Sequence, residues 1–263
     1  MEEEEGRGRT VCVTGGTGYI ASWLIMRLLH HGYSVRATVR SPHPECKRDL
    51  SYLTHLPGAS QIFQADLNQP HSFNEAIQGC TAVFHLAHPM DTDQAKEPEE
   101  TVTRRAVEGT VGILKACLEN KKTLKRVVYT SSGAATILYN DKGLSVSDEN
   151  TWSELDVCRS SKLVSPSYLV SKTVVEKMAL EFAENNGLDL VTLVLPPSNH
   201  DQYECLVNSY MVHIDDVANA LIFLLEYPHA QGRYICSSAE ITIREMFDFL
   251  IARYPEFQIS IPG

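Results

Sequence analysis

Tyr168 and Lys172 stand four residues apart in a segment, Tyr168–Asn186, whose pattern predicts a helix. Their side chains therefore share one helix face. Ser132 follows an apolar run, Arg126–Thr130, that reads as a buried strand running into Ser131–Ser132–Gly133. A phenol, an ammonium and a hydroxyl held together suit carbonyl reduction. A carbonyl that accepts hydride develops negative charge on oxygen. Tyr168 can donate the proton required, and Ser132 can hydrogen-bond and orient the same oxygen. Lys172 favours the phenolate through its charge and can hold ribose hydroxyls. A Tyr-x-x-x-Lys spacing means little by itself in a chain with 11 tyrosines. Its place after a strand ending in Ser-Ser means more. Ser131 reads as a serine that caps backbone beside the cofactor.

Hydride needs a carrier, and the first elements suit a dinucleotide. The apolar run Val11–Cys12–Val13 leads into Thr14-Gly15-Gly16-Thr17-Gly18, and an amphipathic helix starts at Tyr19. Gly15 suits a tight turn with positive φ. Gly18 lets the backbone approach a pyrophosphate at the helix N-terminus, where free N–H groups favour an anion. The third small position is Ala21, which still permits close helix–strand packing. The second strand, Tyr33–Arg40, ends where an acid would bind a ribose 2′-hydroxyl. Here that residue is Arg40, with Arg36 before it and Lys47 and Arg48 after it. A guanidinium pairs a 2′-phosphate, so NADP(H) is expected. Asp66 closes the third strand, either against the adenine edge or as a turn residue with Asn68 and Pro70.

Strands and helices alternate along the chain. This predicts an α/β fold, a doubly wound parallel sheet of Rossmann type. Further strands are expected at 62–65, 82–87, 188–195 and 234–236, and helices at 49–56, 72–78, 98–117, 217–226 and 242–254. Asp215 reads as the N-cap of the helix at 217, and Thr242 with Glu245 as a capping box. The expected organisation is an acidic disordered tail over 1–9, a dinucleotide-binding domain over 10–195 and a small, incomplete substrate lobe over 196–263. His85 reads as a packed strand residue and His88 as a loop residue beside the pocket. His213 with Asp215 and Asp216 reads as a helix cap, not a metal site.

The chain has 263 residues and a net charge of −10. That charge argues against nucleic-acid binding, which needs a basic face. No apolar run reaches the ~20 residues of a membrane helix. Seven cysteines are scattered without Cys-x-x-Cys spacing, so reduced thiols and a cytoplasmic location are expected.

These residues resemble an extended short-chain dehydrogenase/reductase. More narrowly, the chain is similar to the plant dihydroflavonol-reductase-like group and its vestitone-reductase-like isoflavonoid reductases. The resemblance rests on Val13–Tyr19, Val39-Arg40, Ala65-Asp66-Leu67, Tyr129–Gly133, Tyr168–Lys172 and Met211–Asp216. It implies NADPH-dependent reduction of a ketone or aldehyde on a phenolic, (iso)flavonoid-type small molecule. It also implies catalytic roles for Ser132, Tyr168 and Lys172. Cofactor contacts are expected from Gly15, Thr17, Gly18, Tyr19, Ile20, Arg40, Lys47, Arg48, Asp66 and Leu67. Leu86, Ala87, Thr130 and Pro196 join them, together with Tyr168 and Lys172. Met90 and Ile137 are expected to line the substrate side with Ser132 and Tyr168.

Three departures from the family pattern stand out. Ile137 replaces an asparagine that reads flavonoid hydroxyls in dihydroflavonol reductases proper. Ser165-Pro166-Ser167-Tyr168 lacks the longer aromatic motif of the cinnamoyl-CoA reductases. After Pro197 about 25 residues of the family pattern are absent, and its last helices are missing after Gly263. Two alternatives follow. One is a catalytically weak isoform that binds NADP(H) or pairs with a full-length relative. The other is an NAD-dependent sugar-nucleotide epimerase or dehydratase, against which Arg40 speaks.

Overall fold

A computed structural model describes residues 6–40, 53, 60–89, 97–133, 147–160, 165–196 and 208–257. Strands β1 (Thr10–Thr14), β2 (Ser34–Val39), β3 (Ser60–Gln64), β4 (Ala82–His85), β5 (Arg126–Ser132), β6 (Leu190–Leu195) and β8 (Gly232–Ile235) form one sheet. Its order is β3-β2-β1-β4-β5-β6-β8, and every pairing is parallel. The order reverses between β1 and β4. In such sheets the crevice at the carboxyl ends of the strands, at the reversal, receives the ligand.

Helices cover both faces, so the central strands are buried along their length rather than on one face only. All residues of β4, β5 and β6 are buried. Val11 and Val13 join a core with α1 (Tyr19–His30) and α6 (Ile214–Glu226). Cys12, between them, points the other way. It packs with α2 (Asn74–Ile77), α3 (Glu99–Glu119) and α5 (Pro166–Asn186). A small third cluster joins α4 (Leu155–Arg159) to the start of α5 through Cys158, Leu169 and Val170.

Several boundaries differ from the sequence reading. The helix expected at 72–78 splits into a 3-10 turn, Pro70–Phe73, and the short α2. α6 begins three residues earlier than expected. Its N-cap is His213, not Asp215: the His213 Nδ1 accepts the Asp215 N–H at 3.2 Å. Asp215 lies in the first turn and accepts from the Trp23 Nε1 at 3.0 Å, tying α6 to α1. The capping box of α7 (Ile243–Arg253) is present as read. Two strands escaped the sequence reading: β7 (Asn208–Met211) pairs antiparallel with β9 (Ala239–Thr242) in a separate ribbon.

Two domain boundaries also move. Residues 6–9 are not a loose tail. The Gly6 N–H donates to the His31 carbonyl at 3.1 Å, the Ser34 N–H donates to the Arg9 carbonyl, and the Arg9 guanidinium lies over the Tyr33 ring. Residues 214–235, expected in a separate lobe, belong to the main layers, because β8 extends the sheet and α6 packs on α1. The helix expected at 49–56 lies almost wholly outside the described residues.

Candidate active site

The chemistry collects at the carboxyl ends of β1, β4 and β5. β1 ends at Thr14 and turns at Gly15, whose φ is +72°. A Cβ at Gly15 would lie 3.1 Å from the Ala87 Cα and 3.3 Å from its N. A side chain there would be both crowded and strained by the positive φ, in line with the sequence reading. Gly18 is the N-cap of α1; no side chain caps that helix and no acid occupies its first turn. The N–H groups of the first turn are therefore available to an anion, which the helix dipole favours. This cradle fits a dinucleotide pyrophosphate. Thr17 and Ile20 are partly exposed and Tyr19 is exposed around it.

Thr14 organises the far wall. Its Oγ1 accepts the N–H groups of Leu86 and Ala87 at 3.1 and 3.0 Å, and it meets the His85 Nδ1 at 2.9 Å. With both acceptor sites used, the Thr14 hydroxyl donates to Nδ1. The proton of a neutral imidazole then sits on Nε2, facing the Thr110 Oγ1 at 3.2 Å. His85 is fully buried, and that burial, aided by the Lys172 charge, pushes its pKa down to about 3. It is the packed strand residue the sequence suggested. Nothing near Thr14 in the sequence marks this network, because its partners lie about 70 positions away.

Arg40 is exposed just past the end of β2. Arg36 does not join it: its Nη1 donates to the carbonyls closing α2, the shortest bond being 2.6 Å to Gln78. Asp66 serves the turn, its Oδ1 accepting the Asn68 N–H at 2.8 Å. Leu67 packs over Gly109 of α3 and lines a groove with Thr101, Arg104 and Glu108. Pro196 follows β6, partly exposed. Lys47, Arg48, Met90 and Ile137 lie outside the described residues.

Ser132 ends β5, and Tyr168 and Lys172 face it from the first turns of α5. The Ser132 side chain lies near enough to the Tyr168 hydroxyl to act on its acidity as a hydrogen-bond donor would. Burial raises the Tyr168 pKa above that of a free phenol, and Ser132 works against it. Burial, not the lysine field expected from the sequence, sets the direction, and Tyr168 stands as a protonated phenol. Lys172 is 7 % exposed, donates to the Thr130 carbonyl at 3.4 Å and lies 5.7 Å over the Tyr129 ring. Burial pushes its pKa down to about 8, while Glu176 raises it. His88 meets the Tyr168 ring edge-on at 5.5 Å, and its Nε2 is 3.4 Å from the Ser171 Oγ. The reading of Ser131 needs correction. Its Oγ donates to the Glu176 carboxylate at 2.6 Å and caps no backbone. Glu176 and its partner Arg233 were not singled out in the sequence.

The family model described as "NAD dependent epimerase/dehydratase family" matches residues 11–199. Protein BRI1-5 ENHANCED 1 of Arabidopsis thaliana is 53 % identical, over 95 % of this chain and 76 % of its own length. Vestitone reductase of Medicago sativa is 50 % identical, over 97 % of this chain and 84 % of its own. The crystal structure of vestitone reductase from alfalfa superposes with a TM-score of 0.80 at 46 % identity, covering 95 % of this chain and 83 % of that one. Yeast methylglyoxal/isovaleraldehyde reductase Gre2, solved in complex with NADPH, gives 0.76 at 25 % identity, covering 96 % and 85 %. The vestitone reductase alignment spans 279 positions, more than the 263 residues of this chain. That relative therefore carries residues with no counterpart here. The chain belongs to the NAD dependent epimerase/dehydratase family and is an oxidoreductase of its vestitone reductase and dihydroflavonol 4-reductase branch.

Proposed function

We propose that this chain reduces a ketone or aldehyde on a phenolic, (iso)flavonoid-type small molecule with NADPH, in the cytoplasm. The observation that carries the reading is the placement of Ser132 at the end of β5 beside Tyr168, with Lys172 one turn further along α5 and bonded to the Thr130 carbonyl of the same strand. NADPH, when bound, supplies the hydride. Tyr168, held as a phenol, donates the proton to the carbonyl oxygen. Ser132 hydrogen-bonds that oxygen and fixes its position as charge develops. Lys172 holds the ribose hydroxyls and stabilises the phenolate left behind. Gly15, Thr17, Gly18, Tyr19 and Ile20 would hold the pyrophosphate, and Arg40 would pair the 2′-phosphate. Asp66 and Leu67 would hold the adenine end, and Leu86, Ala87, Thr130 and Pro196 would complete the cofactor site.

The test is NADPH consumption with a panel of isoflavanones, flavanones and aromatic aldehydes. Tyr168→Phe is expected to lower kcat by about 10²–10⁴-fold while leaving NADPH affinity nearly intact. Turnover by the variant at the wild-type rate would overturn the assignment. The unmatched positions in the vestitone reductase alignment favour a second reading, a cofactor-binding chain of weak turnover. A large gain in rate on restoring a relative's segment after Pro197 would support it.

A further inference from the structure

Glu176 lies one helical turn beyond Lys172 on α5 and is fully buried. Its Oε2 accepts from the Ser131 Oγ of β5 at 2.6 Å. Its Oε1 accepts from the Thr192 Oγ1 of β6 at 2.9 Å and from the Arg233 Nε of β8 at 3.0 Å. Arg233 reaches further. Its Nη1 donates to the carbonyls of Glu149 and Thr151 at 2.7 and 2.8 Å, and its guanidinium stacks over the Trp152 ring at 3.6 Å. One carboxylate thus joins α5, β5, β6, β8 and the segment around Trp152 directly behind the candidate active site. A purely structural tie does not need a charge there, since a buried ion pair is often replaceable by neutral groups at little cost. The charge does have an electrostatic neighbour in Lys172.

The groups that face Lys172 are the Tyr129 ring and Thr130 carbonyl from β5, His85 and His88 at the end of β4, and Glu176 on its own helix. Burial keeps both histidines neutral. Among the described residues, Glu176 is the carboxylate whose charge supports the ammonium.

We propose that Glu176 is a positioning residue for the Ser132–Tyr168–Lys172 site: it fixes the carboxyl end of β5 through Ser131 and keeps Lys172 charged, and Arg233 holds it in place. The proposal rests on the site reading given under the proposed function.

The test needs no turnover. The chain carrying isotope-labelled lysine is titrated by NMR without cofactor, and the Lys172 resonance is assigned by its loss in Lys172→Arg. A midpoint near 8 is expected for the unaltered chain. In Glu176→Gln the midpoint falls by about one pH unit or more. Should that variant unfold because Arg233 is left unpaired, Glu176→Gln with Arg233→Met removes both charges and is expected to fold with a lowered midpoint. An unchanged midpoint in a folded variant lacking the carboxylate overturns the proposal. Tyr168→Phe, assayed separately, tells the two failures apart. If it keeps full turnover while the Lys172 midpoint still moves, the site reading fails and the coupling of Glu176 to Lys172 stands.

Discussion

At the scale of single residues, the groups proposed to do the chemistry were legible because their spacing is short-range. Tyr168 and Lys172 are neighbours on any helix, and Gly15 announces a turn whose φ, +72°, has been found. What supports them was not legible. The Thr14–His85–Thr110 chain and the Glu176–Arg233 pair depend on which strand lies beside which, and no local pattern records that. Ser131 shows the difference: beside Ser132 in sequence, it faces the opposite way, towards Glu176. Arg40 offers a test at this scale. Arg40→Ala is expected to weaken NADPH binding by about 10–100-fold, the worth of a charge-assisted hydrogen bond, and to leave NADH binding nearly unchanged. Calorimetric titration with both nucleotides measures this. Equal loss for both would refute the 2′-phosphate role.

At the scale of elements, the alternation of strand and helix was readable from apolar periodicity, and the ends of elements less so. The cap was read in His213, Asp215 and Asp216 together, and Asp215 was singled out over His213 because histidine is a rare cap. β7 and β9 were missed because four-residue strands in a ribbon carry little pattern. The place of β8 and α6 in the main layers depends on long-range ties, of which Arg126 is the strongest. It pairs with Asp189 at 2.8 Å and donates to the carbonyls of Leu224, Tyr227 and Ala230 at the end of α6. The Arg126 side chain is 6 % exposed, against 44 % for Asp189. Arg126→Ala is expected to destabilise the fold by about 3–5 kcal/mol, because it orphans several buried carbonyls and unpins α6 from β5. Asp189→Ala is expected to cost about 1 kcal/mol or less, since solvent screens that carboxylate. Urea unfolding of the two variants checks the ratio, and equal costs would refute the role given to the carbonyl contacts.

For the whole molecule, two large apolar cores flank a sheet that buries His85 at the carboxyl end of β4. That arrangement gives stability a pH dependence. His85 is held neutral by burial, with a pKa near 3 in the folded chain against about 6.5 when unfolded. Between those values the unfolded chain binds the proton and the folded chain does not. Its contribution is complete above about pH 6.5 and is lost as pH falls towards 3, at about 1.4 kcal/mol per pH unit. His88, shifted the same way, adds to it. Urea midpoints at pH 7.5 and 5 are expected to fall for the unaltered chain and to fall less for His85→Gln. An identical fall in both would mean that His85 is already protonated in the folded state.

In the proposed reaction, hydride passes to a carbonyl held by Ser132 and protonated by Tyr168. The most direct measurement is a single-turnover experiment with NADPH deuterated at the transferable position and an isoflavanone-type ketone, followed by mass spectrometry of the product. One deuterium on the new carbinol carbon is expected with the unaltered chain, and almost none in the same time with Tyr168→Phe. Bound NADPH that transfers no deuterium to any carbonyl in the panel, or equal transfer by the variant, would contradict the proposed reaction.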